Sequence, residues 1–149
     1  MSYLPIKNFD FKSITLITLN QIPGTITTNY QVQFNQIINQ FLKNNFISNV
    51  AINTTNNIII VPENCYVEAF LTLNLKNSIN SNSVYNSFAL YDLNNNILGV
   101  PGESRYSTSS PASFVSNKNI AFTFKLITNT TGKALGGDAY SNYIIIYEF

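Results

Sequence analysis

The strongest constraint on this chain is a hydrophobic period of two, which holds almost throughout from about residue 47 to Phe149. Side chains alternate between the two faces of a strand, so this period marks ribbons with one dry side. It is clearest from Tyr66 to Lys76. There Val67, Ala69, Leu71, Leu73 and Leu75 form one face, while Glu68, Thr72, Asn74 and Lys76 mark the other. Phe70 alone breaks the polar face, so that side of the sheet is wet or is covered by a partner. Ile120–Leu126 alternates again, with Ile120, Phe122, Phe124 and Leu126 facing inward.

Turn residues separate the ribbons. Ile58–Val61 ends at Pro62-Glu63-Asn64, and Phe88–Leu93 with Ile97–Val100 flanks Asn94-Asn95-Asn96, a hairpin with an amide-rich turn. Residues 101–113, rich in Ser, Pro and Gly, read as a long loop, and 129–138 as a turn-rich stretch. The last ribbon, Tyr143–Phe149, is apolar on both faces. It belongs in the middle of a sheet or against another subunit, because an exposed edge of this kind aggregates. Phe70, Tyr143, Ile145, Tyr147 and Phe149 are therefore the candidate oligomer-interface residues.

Six or seven strands without alternating helices predict an all-β antiparallel sandwich over residues 46–149. Residues 1–45 depart from the pattern. Ile14–Leu19 is strand-like, and Pro23-Gly24 marks a turn. Phe34, Ile37, Ile38, Phe41 and Leu42 then fall at i, i+3, i+4, i+7 and i+8, the stripe of an amphipathic helix over roughly 33–44. Gln31–Phe34 alternates, so a strand also fits the first part. The reading is a short N-terminal segment, helical or extended, that attaches or caps and is separable from the sandwich.

Composition narrows function. With 8 Lys plus Arg against 7 Asp plus Glu, the formal net charge is +1. The basic surplus that nucleic-acid binding needs is therefore missing. Charged residues are 10% of the chain, well under the roughly 25% of an ordinary domain. Asn, about one residue in six, solubilises the surface instead. Such a surface is insensitive to salt and lacks the self-repulsion that keeps monomers apart, so self-association is expected. The chain has no His and one Cys, which removes the usual metal and nucleophile chemistries; neither an enzyme nor a cofactor is expected. Cys65 reads as a small packed hydrophobe. No apolar run is long enough for a membrane helix, and residues 1–7 lack a signal-peptide pattern. The sequons at Asn53 and Asn129 arise by chance in a chain so rich in Asn and Thr.

Four patterns invite chemistry. Asp92, Asn94, Asn96 and Glu103 occupy positions 1, 3, 5 and 12 of a calcium-loop template, but Ile97 stands where glycine is required, so a plain hairpin turn is the better reading. Glu63 and Glu68 suggest an acid/base pair, yet nothing implies that either is desolvated. Gly132, Gly136 and Gly137 around Lys133 lack the phosphate-loop order. Tyr106 and Tyr140, with Tyr85 and Tyr91, lie in or near loops, where rings stack on sugars or, more commonly, close a core or interface.

The segment Ile58–Phe149 resembles the compact jelly roll of the tumour-necrosis-factor and C1q superfamily. The likeness rests on the strand-Pro-turn-Tyr run Ile60–Val67, the long alternating strand, the hairpin from Tyr91 to Gly99 and an apolar final strand. The superfamily's Gly-x-Tyr turn is Asn64-Cys65-Tyr66 here, which departs at the glycine. The resemblance implies a homotrimer with aromatic and aliphatic residues around its axis. In style the chain is most similar to viral members: head-fibre or capsid-decoration modules on the virion exterior, contacting other virion structural proteins. An adhesin tip that binds a host glycan or receptor through Tyr106 and Tyr140, or a spore-surface tip, is the alternative.

Overall fold

The computed structural model describes residues 10–19, 30–71, 73–74, 86–104, 109–127, 135–136 and 142–149. Their strands are β1 Ser13–Leu19, β2 Phe34–Leu42, β3 Ala51–Asn53, β4 Ile58–Val61, β5 Cys65–Phe70, β6 Leu73–Asn74 and β7 Asn86–Asp92. There follow β8 Ile97–Ser104, β9 Ser109–Ser110, β10 Ala112–Val115, β11 Ile120–Leu126, β12 Leu135–Gly136 and β13 Tyr143–Glu148. Ten of them run in the order β2-β1-β13-β5-β10-β8-β7-β11-β4-β3, with β9 beside β8 and with β6 and β12 paired separately. All pairings are antiparallel.

The long sheet curls into two layers. β2-β1-β13-β5-β10 form the first and β8-β7-β11-β4-β3 the second, joined at one corner through the Ser113–Val100 pair. Inward positions of both layers make one core. Val67, Ala69, Ile144 and Ile146 from the first meet Ile59, Phe88, Leu90, Phe122 and Phe124 from the second, and all nine are fully buried. Phe114 of the first layer sets its ring edge-on to Phe122 of the second at 5.2 Å, a favourable quadrupole arrangement. The sandwich is the jelly roll expected, and β13 lies between β1 and β5, in the interior of its layer.

The turn between β4 and β5 is made without glycine. Asn64 adopts φ 63°, a left-handed conformation that asparagine tolerates better than other non-glycine residues. Its carbonyl accepts the Phe149 N–H at 3.0 Å, and its N–H donates to Ser116 O at 2.9 Å.

Three element assignments are overturned. Phe34–Leu42 is strand β2, not a helix. Its pairing with β1 slips twice, between Leu16 and Ile17 and between Ile17 and Leu19. Each bulge inserts an extra residue and resets the alternation, so a bulged strand imitates the helical stripe at 34, 37, 38, 41 and 42. Residues 101–113 are not one loop. β8 continues to Ser104 because Gly102, with no side chain, lets the Phe88 ring close over it; a Cβ there would stand 2.3 Å from the ring. The ribbon drawn from Tyr66 to Lys76 ends at Phe70; Leu73–Asn74 pairs instead with Leu135–Gly136, and residues 75–76 lie outside the described part.

The N-terminal region is not a separable cap. β1 hydrogen-bonds to both β13 and β2, and Ile17, Leu19, Val32 and Phe34 belong to the common core. Removing residues 1–45 strips two strands from the first layer. It is therefore expected to leave no folded product.

Candidate functional site

The outward face of the first layer carries the feature that needs explaining. Parity along β13 sends Ile144, Ile146 and Glu148 inward and leaves Tyr143, Ile145, Tyr147 and Phe149 half-buried outside. On β5 the same parity turns Tyr66, Glu68 and Phe70 outward. Register then aligns them: Tyr147 opposes Tyr66 and Tyr143 opposes Phe70. The Phe70 and Tyr143 rings stack at 4.9 Å, and Tyr66 and Tyr147 at 6.1 Å. Phe11 adds a third group, its ring 5.1 Å from both Tyr147 and Phe149.

All five interface residues expected from the sequence thus share one face, and the register adds neighbours that a one-dimensional reading misses. A transverse row runs from Phe41 through Ile14, Tyr147 and Tyr66 to Val115. Its ends, Phe41 and Val115, are 58% and 68% exposed. Burial raises the Tyr66 and Tyr147 phenols above the ordinary tyrosine value, and the nearby Glu68 carboxylate pushes the same way. Both are neutral hydroxyls at physiological pH. Glu68 is the one acid on this stretch of β5, opposite Ile145 and Ser113. Together these residues make a continuous outward strip of aromatic and aliphatic groups.

Among the described residues the other candidates do not assemble. Tyr106, Tyr140 and Tyr85 lie outside the described residues, as do Gly132, Lys133 and Gly137. Tyr91 is engaged by the Lys125 ammonium 5.4 Å above its ring. Glu63 stands exposed in the β4–β5 turn while Glu68 belongs to the sheet face. Asp92 closes its hairpin: its carboxylate accepts the backbone N–H groups of Asn94 and Asn96 at 2.9 Å and the Asn96 side-chain amide at 3.2 Å. Glu103 sits near the other end of β8, paired with Ser87. The calcium template is therefore not drawn together.

Those hydrogen bonds, first of all the Asn96 N–H, hold the Asp92 carboxyl below its usual range. A depressed folded value stabilises the protein above the ordinary carboxylate range, and that contribution disappears as pH falls through the folded value. Asp92→Ala is therefore expected to lower the melting temperature at neutral pH, with the deficit shrinking in acid. Melting curves across pH check this.

A buried carboxylate was not foreseen. Glu148 is 3% exposed and accepts the Ser13 hydroxyl at 2.7 Å, the Ser48 hydroxyl and, more weakly, the Asn49 N–H at 3.4 Å. It ties the connection before β3 to the end of β13. Its inward parity after Ile144 and Ile146 was the available signal. Glu148→Ala orphans these donors and is expected to cost about 2–3 kcal/mol, read by urea denaturation. Cys65, fully buried beside it, has its thiol pushed up to about 11 by burial, which suits an inert packed residue.

No family model and no curated protein matches the chain by sequence. Among solved structures it is similar to murine APRIL, with a TM-score of 0.57 at 10% identity, covering 91% of this chain and 99% of that one. The fold is TNF-like. The match covers 91% of the chain, more than residues 58–149 alone would supply. At this identity the likeness is one of fold alone.

Proposed function

We propose that this TNF-like module is a non-enzymatic structural protein that associates as a homotrimer through the outward face of its first layer. The observation that carries this reading is the transverse strip Phe41–Ile14–Tyr147–Tyr66–Val115, backed by the Phe70–Tyr143 and Phe11–Phe149 contacts. At about 25 cal/mol per Å², hiding a few aromatic side chains contributes several kcal/mol per subunit, enough to offset part of the ordering cost of association. With a net charge of +1, little long-range repulsion opposes it. A TNF-like fold suits trimeric packing of this kind.

We further assign the assembly to the exterior of a virion, as a capsid decoration or head-fibre module contacting other virion structural proteins. The charge-poor, amide-rich composition supports this, since such a surface keeps its properties in varied salt and pH. Association through apolar contacts is expected to persist unchanged as salt is raised, because screening weakens only charge pairs. Light scattering across a salt series tests the mode of association, and dissociation at high salt would contradict it. Antibodies to the chain are expected to label intact particles; labelling only after disruption would contradict the exterior assignment.

A further inference from the structure

The run Asn53-Thr54-Thr55 belongs neither to the core nor to the aromatic strip. It matches the acceptor pattern for N-glycosylation, an asparagine followed two residues later by a hydroxyl side chain, with no proline between. Composition alone generates such triplets in this chain. A transferase, however, reads the triplet and its accessibility, not its origin, and accessibility is a property of the fold. The like triplet at Asn129 lies outside the described residues.

Asn53 is the last residue of β3, the strand that ends the second layer, and it pairs with Ile58 across a hairpin turn. Asn53, Thr54, Thr55 and Asn56 are all exposed. The Asn53 Oδ1 accepts the Thr55 N–H at 3.0 Å and the Asn56 N–H at 3.2 Å. Both partners are donors, so the amide oxygen is the atom that faces the turn. Nδ2, at the other corner of the planar amide, is directed away from those two groups. Both hydrogen bonds are local to residues 53–56, so they need no part of the sandwich and are available to a chain still being made. The far half of the turn is tied to the fold. Gln31 Nε2 donates to the Asn56 and Asn57 carbonyls, and Asn57 Oδ1 accepts the Phe34 N–H. The turn therefore abuts the Phe34 end of β2, whereas the aromatic strip crosses β2 at Phe41, near its other end. A group carried on Asn53 leaves that crossing open.

We infer that Asn53 is an N-glycan acceptor, served by a lipid-diphosphate-linked oligosaccharide and a membrane-bound transferase. Nδ2 attacks the anomeric carbon of the donor's first sugar and gives up one proton to a base of the transferase. The C–N bond forms as the bond from that carbon to the phosphate oxygen breaks, and the lipid diphosphate leaves with the electron pair. The test translates the full chain carrying Asn129→Gln, behind a cleavable leader, in the presence of microsomal membranes. The imported, protease-protected chain is expected to migrate more slowly by one glycan. Enzymatic release of that glycan is expected to restore the migration and to leave aspartate at position 53, read by peptide mass spectrometry. Thr55→Ala in the same background keeps the backbone N–H that closes the turn and removes the hydroxyl; it is expected to abolish the shift, and Thr55→Ser to retain it. Neither readout depends on export or on folding of the variant. Imported chain without a glycan at position 53 would overturn the inference, as would a shift that survives Thr55→Ala. The trimer bears on neither outcome, since Asn53 lies outside the strip.

Discussion

Gly99→Ala is expected to destabilise the protein by about 3–4 kcal/mol, the sum of a left-handed backbone penalty and an overpacking penalty. Gly99 has φ +64°, and a Cβ there would stand 2.1 Å from Ser113 O and 2.6 Å from the Phe114 Cβ. Both neighbours belong to β10, the strand through which the two layers are joined. Neither can withdraw: Ser113 O is backbone, and Phe114 is locked edge-on to Phe122. For a domain of this size the loss corresponds to a melting temperature lower by about 10 °C. Asn95→Ala separates the two penalties. Asn95 has φ 64° but sits exposed in the hairpin turn, where its side chain accepts one exposed hydrogen bond from Lys125 at 2.7 Å, so the backbone cost, about 1–2 kcal/mol, is expected to dominate there. Calorimetry of both variants checks the difference; equal losses would mean that the packing at Gly99 is not as described.

The second large effect concerns assembly. Phe70→Asp combined with Tyr147→Asp is expected to produce folded, monomeric protein. Both side chains point away from the core, so strand pairing and the inner layer survive. In the assembled state each new carboxylate would be desolvated without a partner, at a cost of several kcal/mol per ion, repeated in every subunit. Glu68→Gln works in the opposite direction, removing the native acid from the same stretch of β5, and is expected to leave the assembly intact or tighten it. Circular dichroism with analytical sedimentation reads fold and mass together. An aspartate pair that remains oligomeric would move the contact to another surface.

What the sequence made legible followed from parity. Alternation in β5 and β11 correctly oriented Val67, Ala69, Phe122, Phe124 and Leu126, and Pro62 and the Asn94–Asn96 run marked real turns. The outward position of Tyr143, Ile145 and Tyr147 on β13 follows from the same rule. Illegible parts involve more than one strand. The two bulges of β2 depend on register with β1, so its residues masqueraded as a helical stripe. The contributions of Phe11, Tyr66 and Ile14 to the aromatic strip exist only once β1, β13 and β5 are side by side. Gly102 read as a loop residue and Gly99 as an ordinary strand residue, although each is where a neighbouring ring or strand needs the space of a missing side chain. Glu148 obeyed parity, but its charge argued for solvent until Ser13 and Ser48 supplied donors.

The outward face of the first layer stands or falls on the mass of the native particle. Sedimentation equilibrium of the full chain at neutral pH is expected to return three times the 16.7 kDa protomer mass. A stable species at the protomer mass, persisting as concentration is raised, would contradict the account.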